Sequence, residues 1–306
     1  MTPMFHNRLF FHSSFSQRYF ISTNCSIIDG NCSLAVSNRR IAILGKTGVG
    51  KSSLANTIFG EDLFVPGQTL NSETKKCQAE TKSVNGREIT LIDTPGFFDT
   101  DRSEEELKRE IVRCIIECTP GPHAFLIVLK VEKFIEQEQA VITKIIQYFS
   151  EEVFKYATVV FTHGDQLPEG QTIQNFVSQN KFVRGLVEKC GGRCFVIDNK
   201  YWNKNPKDEY RSNQFQVEEL LKSIDKMVKK NNGSCYNNEM LQAVEEEIQD
   251  EVELIRQPSG NLSAIEVRVQ ARVNAFKNLG LRLAGIAKDA TLRAFFGVLR
   301  LVRDGI

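Results

Sequence analysis

A lysine and a serine at the end of a glycine-rich stretch, Gly45-Lys-Thr-Gly-Val-Gly-Lys-Ser52, have the types and spacing to grip a polyphosphate and its metal ion. Glycines at 45, 48 and 50 let the backbone turn, so that N–H groups from Gly45 through Lys46, Thr47, Gly48, Val49 and Gly50 to Ser53 face phosphate oxygens. A helix starting at Lys51 adds the partial positive charge of its N-terminus. Lys51 then reaches the β- and γ-phosphates as a point charge, and the Ser52 hydroxyl is a magnesium ligand.

A second cluster lies about forty residues on, where Glu88-Ile-Thr-Leu-Ile-Asp-Thr-Pro-Gly96 runs from a strand into a turn. Asp93 can hold magnesium through a water, and the Gly96 amide can meet the γ-phosphate, so that hydrolysis would release the segment. The choice of base falls to Tyr156-Ala-Thr-Val-Val-Phe-Thr-His-Gly-Asp165. A carboxylate at Asp165 would accept from the N1–H and 2-amino group of guanine, and adenine presents neither donor there. His163 stands where a lysine usually covers the base; its ring either stacks on the base or is an ordinary surface histidine. Asn199, at the end of Arg193-Cys-Phe-Val-Ile-Asp-Asn-Lys200, is a second candidate contact to the base.

Such residues need a scaffold that gathers strand ends. From Arg39 to about Asn231 apolar strands alternate with helical patterns, which predicts an α/β, P-loop GTPase fold with a mostly parallel sheet and helices on both faces. Strands are expected near 40–45, 88–93, 124–131, 157–162 and 194–198, and helices near 51–59, 103–118, 136–149, 172–189 and 213–230. Ligands of such sheets sit at the carboxyl ends of the strands, where every motif above falls. After Asn231-Asn-Gly-Ser234 the pattern turns purely helical. Leu241, Val244, Ile248, Val252 and Ile255 form the apolar stripe of an acidic helix, Pro258-Ser-Gly260 breaks it, and a basic helical segment follows with Phe276, Leu279, Leu283, Ile286 and Ala290 on one face. The expected division is therefore an N-terminal extension (1–38), a G domain (39–232) and a helical C-terminal extension (233–306).

Composition narrows the function. Arg and Lys number 39 against 38 Asp and Glu, and no basic stripe is visible outside the last thirty residues, which argues against a nucleic-acid partner. The eight cysteines lack paired C-x-x-C spacing and read as reduced thiols in a cytoplasmic protein. The Phe- and Ser-rich first 38 residues have neither a continuous apolar core nor a clear amphipathic period; they read as a disordered extension, with a transit peptide as the alternative.

With these residues in place, the chain resembles the GTPases of immunity-associated proteins (the GIMAP family), within the larger group of septin- and chloroplast-import-receptor-like GTPases. The resemblance runs from about Arg39 to Asn232 and is most distinctive at Cys118-Thr-Pro-Gly-Pro-His-Ala-Phe-Leu-Ile-Val-Leu129 followed by Phe134-Ile-Glu-Gln-Glu-Gln139. It implies a GTP/GDP ligand with magnesium, Thr74 as the switch threonine and a further metal ligand, and assembly into homo- or hetero-oligomers with related GTPases through the nucleotide face. It also implies membrane association through C-terminal segments and a role in immunity.

The water-orienting residue that often follows Asp-x-x-Gly is here Phe97, whose ring cannot polarise water. Lys133 matches the position from which some relatives insert an arginine across a dimer. It keeps the charge without the planar fork, or is simply a lysine on a solvated loop. Two functions stay open: a GTPase that hydrolyses slowly or only as a dimer, and a GTP-dependent scaffold with negligible hydrolysis. An ATP-using enzyme conflicts with Asp165. The basic segment 272–306 is too interrupted by charge to span a bilayer. It either packs on the G domain or the acidic helix, or lies on an anionic membrane surface.

Overall fold

Short, continuous apolar runs build the central strands of a six-stranded sheet. In the computed structural model, which describes residues 38–65, 77–94, 104–134, 136–202, 209–256 and 262–284, the strands are β1 (Arg39–Leu44), β2 (Gln78–Val84), β3 (Arg87–Asp93), β4 (Ala124–Lys130), β5 (Ala157–Thr162) and β6 (Cys194–Val196). Their order is β2-β3-β1-β4-β5-β6, with every neighbouring pair parallel except β2 and β3. Successive residues point to opposite faces: Ala42, Leu44, Phe125 and Ile127 into one core, Ile41, Ile43, Leu126 and Val128 into the other. Both faces are buried, so the central strands read as unbroken apolar runs.

Helices cover each face. One face is packed by α1 (Lys51–Phe59) and α6 (Asn213–Lys230), and the other by α2 (Glu104–Cys118), α3 (Glu136–Phe149), α4 (Ile173–Ser178) and α5 (Lys181–Lys189). The sequence predicts one helix over 172–189, but the chain breaks it. Asn180 leaves helical geometry, and its side-chain oxygen accepts the N–H groups of Phe182 and Val183 at 3.0 Å each, starting α5 afresh. Strand β2 has no counterpart in the sequence reading. It is a half-exposed edge strand, joined to β3 by Asn85 and Gly86, both with positive φ (48° and 74°) as a tight hairpin turn requires.

The C-terminal part forms a helical hairpin, α7 (Glu239–Arg256) and α8 (Ala264–Ala284), and lies on α2. The apolar stripe predicted for α7 holds: Leu241, Val244, Ile248 and Val252 are buried and Ile255 is half-buried. On α8 the buried line is Val267, Ala271, Ala275 and Leu279, with Phe276 half-buried under the Arg113 guanidinium 4.6 Å from its ring centroid. The opposite charges meet, with Arg268 on Glu245 at 2.7 Å and Arg282 on Glu247 at 3.1 Å. The first part of the basic segment thus packs on both the acidic helix and the G domain. The described residues from Asn38 to Ala284 belong to one compact unit. No described helix is long and apolar enough to cross a membrane. Residues 1–37, Thr74, Gly96, Phe97, Ile286 and Ala290, for which the sequence carries expectations, lie outside the described residues.

Candidate functional site

The glycine-rich loop sits between β1 and α1 at the carboxyl end of the sheet. Gly50 takes φ 88°, a left-handed conformation that a side chain would strain, and an added Cβ would meet the Asn199 amide nitrogen at 3.1 Å. From there α1 starts with no side-chain cap and no acid in its first turn, so its positive end is left for an anion. The Lys51 ammonium folds back across the loop and donates to the carbonyls of Gly45 and Lys46 at 3.0 Å each. Lys46 itself donates to Gln137 of α3, tying the loop to the Phe134–Gln139 box. Thr47 and Ser53 are half-buried on either side, and Val49 is buried beneath.

Because β3 lies beside β1 with Ile43 opposite Asp93, the strand delivers its terminal carboxylate under the loop. The Ser52 hydroxyl donates to Asp93 Oδ2 at 2.5 Å, while Oδ1 is buried without a hydrogen-bond partner. At 1% exposure, burial pushes the Asp93 carboxyl above its ordinary range, and Ser52 and Lys51 only partly offset this. A buried carboxylate oxygen without a partner, next to a serine hydroxyl, has the donor chemistry of a hard divalent cation site. The Thr94 hydroxyl fixes the strand end by donating to the Ile43 carbonyl at 2.6 Å.

The turn expected to read the base stands against the same loop. Thr162, buried at the end of β5, donates its hydroxyl to the Val49 carbonyl at 2.7 Å. His163 adopts a left-handed conformation (φ 59°) with its Nδ1 3.0 Å from the Thr162 hydroxyl, leaving the ring half-exposed. Gly164 packs on the buried ring of Trp202, where a Cβ would come within 2.8 Å of two ring carbons. Asp165 is exposed, and its backbone N–H donates to Asp198 Oδ2 at 2.8 Å. Partial burial and the facing Asp198 raise its carboxyl above the ordinary range.

The structure therefore gathers Lys46, Thr47, Lys51, Ser52, Asp93, His163 and Asp165 around one sheet end. Asn199 stands beside the loop: its Oδ1 accepts from the Thr57 hydroxyl of α1 at 3.0 Å, and its amide nitrogen faces Gly50. Lys133 is exposed on the loop after β4, on the wall of a cavity of about 190 Å3 that Phe134, Phe161 and Phe176 also line. Sequence reasoning missed Thr162, Gln137, Asp198 and Trp202. Thr162, Gln137 and Asp198 lie within quoted segments but nothing in their local pattern marks their roles, and Trp202 lies outside every quoted segment.

The sequence profile of the AIG1 family matches residues 39–254, which takes in α7 as well as the sheet. The chain is 32% identical over 233 residues to immune-associated nucleotide-binding protein 9 of Arabidopsis thaliana, covering 73% of this chain and 66% of that one, just under two thirds of the relative's length. Among solved structures it is similar to Toc33 from Arabidopsis thaliana in complex with Mg2+ and GMPPNP (TM-score 0.50, 21% identity, 63% of this chain and 85% of that one). It is equally similar to a structure reported under the statement that dimerization is important for the GTPase activity of the chloroplast translocon components atToc33 and psToc159 (TM-score 0.50, 22% identity, 62% of this chain and 82% of that one). At these identities the structural likeness speaks for the fold.

Proposed function

Because the chain belongs to the AIG1 family, we propose that it is a guanine-nucleotide switch that binds GTP and GDP with magnesium, assembles on GTP, and hydrolyses it slowly or only in a dimer. The observation that carries this reading is the 2.7 Å hydrogen bond from Thr162 to the Val49 carbonyl, which makes the phosphate loop and the Asp165 turn one site. Phosphates would lie over the N-terminus of α1 with Lys51 swung onto them from the loop carbonyls, and guanine would present its donors to Asp165. The partnerless Asp93 oxygen and the Ser52 hydroxyl fit magnesium, Ser52 directly and Asp93 through a water. The ion would neutralise charge on the phosphate oxygens. Thr74 and Gly96 complete the proposed set.

Hydrolysis is the weak part of the site. Phe97 cannot orient water, and a missing charge-stabilising group in trans is worth roughly 10³–10⁵ in rate. Lys133, exposed beside the nucleotide face, is the residue this chain has to offer across a dimer. The dimerization reported for the translocon GTPases supports that arrangement as a proposal for this chain. Residence in the cytoplasm, a role in immunity, hetero-oligomers with related GTPases and contact of the basic tail with an anionic membrane are further parts of the proposal. The presence of Phe97 favours one alternative, a GTP-dependent scaffold in which assembly is the output and turnover is negligible.

Nucleotide competition tests the assignment. GTP and GDP should displace a fluorescent GDP analogue and ATP should not, Asp165→Asn should erase that preference, and Lys51→Ala should weaken every nucleotide. Equal affinity for ATP and GTP in the unaltered protein removes the guanine reading. Turnover per subunit should rise with protein concentration and rise less in Lys133→Ala. A flat, measurable rate from monomer to dimer rejects the trans mechanism, and no turnover at any concentration selects the scaffold.

A further inference from the structure

Asp198, one residue before Asn199 in the quoted Arg193–Lys200 segment, was given no role by the sequence, yet it is 1% exposed and lies two residues beyond the end of β6, beside the base-reading turn. A buried carboxylate costs several kcal/mol unless its oxygens are satisfied. Here they are: Oδ2 accepts the N–H of Asp165 at 2.8 Å, and Oδ1 accepts the N–H groups of Lys200 and Tyr201 at 2.6 Å each. Burial pushes this carboxyl up, but the backbone N–H bonds outweigh it and hold Asp198 below the ordinary carboxylate range. It is therefore an anion at neutral pH.

Behind it stands Asn213, buried at the start of α6. Its side-chain oxygen accepts the Asp198 N–H at 3.0 Å and its side-chain nitrogen donates to the Asp198 carbonyl at 2.5 Å. This bracket leaves Asp198 no backbone freedom. The turn it organises delivers Trp202 onto Gly164, so the base-reading turn is held from both sides. The facing Asp198 also helps raise the Asp165 carboxyl above its ordinary range. With a like group facing it, the Asp165 carboxylate gains from donors on its open side, and guanine brings two.

We propose that Asp198 is a positioning residue for guanine selection: it clamps the Asp165 backbone to the 198–202 turn and so aims the Asp165 carboxylate at the base. The inference rests on the reading of Asp165 as the guanine contact. Asp198 itself touches no nucleotide in this account. A merely structural role would weaken all nucleotides together or lower thermal stability alone, so the readout must be selectivity.

Inosine diphosphate provides it, since it keeps N1–H and the phosphates of GDP but lacks the 2-amino group. Affinities for GDP and IDP would be measured on the full chain carrying Asp198→Asn, Asp165→Asn and both. In Asp198→Asn one carboxylate acceptor becomes an N–H2 facing an N–H donor. GDP should weaken about tenfold or more, IDP much less, and the GDP-to-IDP ratio should collapse. The double variant should be no worse than Asp165→Asn, because coupled residues are not additive. If Asp198→Asn does not fold, Asn213→Ala loosens the same carboxylate from behind and should shift the ratio in the same direction. Equal losses for GDP and IDP, or additive effects of the two substitutions, overturn the proposal. If Asp165→Asn itself leaves the ratio unchanged, the guanine reading fails and takes this inference with it. If that variant abolishes the preference while Asp198→Asn preserves it, only the positioning role falls.

Discussion

At the scale of single residues the site depends on contacts too short to tolerate small changes. Gly164 is the clearest case. A methyl group there would sit 2.8 Å from two carbons of the Trp202 ring, and Trp202 is 8% exposed with little room to retreat. Gly164→Ala must push the base-reading turn or the ring aside, and overpacking of this kind costs about 1–3 kcal/mol. The expected result is a lower midpoint in thermal unfolding together with weaker GDP binding, while the response to magnesium is kept. Unchanged stability and affinity would mean that the turn is slack and that Trp202 is only covering. Much of this site was legible beforehand because phosphate and metal chemistry demand fixed types at fixed spacing: Lys51, Ser52 and Asp93 are where the pattern put them. The role of Asp198 was not legible, since an acid after a strand has no signature and the two partners that tie it to the site, Asp165 and Asn213, lie 33 and 15 positions away in sequence. Thr162 ties the base turn to the phosphate loop, and only a hydroxyl within reach of the loop reveals it.

At the scale of elements, what failed in the sequence reading failed for physical reasons. β2 has a half-exposed edge pattern with no apolar run, so a search for buried strands passes over it. Its signal was the Asn85-Gly86 pair, whose positive φ values suit a two-residue hairpin. The split of α4 from α5 was equally visible in principle, as Asn180 is a capping residue inside an otherwise helical stretch. The segment before β4 carries a prediction of its own. His123 joins it to β1: its Nδ1 accepts the Arg40 N–H at 3.1 Å, and its own N–H donates to the Arg40 carbonyl at 2.8 Å. Burial, then the charges of Arg40 and Arg39, pull its pKa down to about 3. Above pH ~6.5 the imidazole is neutral folded or unfolded, so pH has no lever on it. Between ~6.5 and 3 the unfolded chain takes a proton that the fold refuses, and stability falls by about 1.4 kcal/mol per pH unit as pH drops. Urea unfolding at two pH values below 6.5 should show this slope, and His123→Asn, whose amide oxygen can take the place of Nδ1, should remove it. The same slope in both proteins would assign the acid sensitivity elsewhere.

At the scale of the whole molecule, the C-terminal hairpin matters because of what it lies on. α2 is the next described element after the strand that ends at Asp93, where the segment expected to respond to the γ-phosphate begins, and α7 and α8 both pack on it. Arg272 adds polar ties from α8, to the Glu117 carboxylate at 3.4 Å and the Thr119 carbonyl at 3.3 Å. Half-exposed pairs such as these contribute little, ~0–1 kcal/mol each, so the dock is held mainly by the apolar line Val267, Ala271, Ala275 and Leu279. A dock of that kind is open to competition: a shift of α2 on GTP binding would misalign the seam, and the released basic helix could lie on an anionic surface. Ala271, fully buried at the seam, separates the possibilities. Ala271→Glu would bury an unpaired carboxylate at a cost of several kcal/mol and should undock α8 whatever the nucleotide. Hydrogen exchange of α8 should then be fast in both nucleotide forms, whereas the unaltered chain should show slow exchange with GDP and faster exchange with a GTP analogue. Sedimentation with anionic vesicles completes the test: the GTP-analogue form and Ala271→Glu should sediment, the GDP form should stay in solution, and salt should weaken the binding as expected for a basic helix. If Ala271→Glu frees α8 in hydrogen exchange but stays in solution with vesicles, the hairpin is a packing element of the G domain, and the surface it would offer a membrane has no such use.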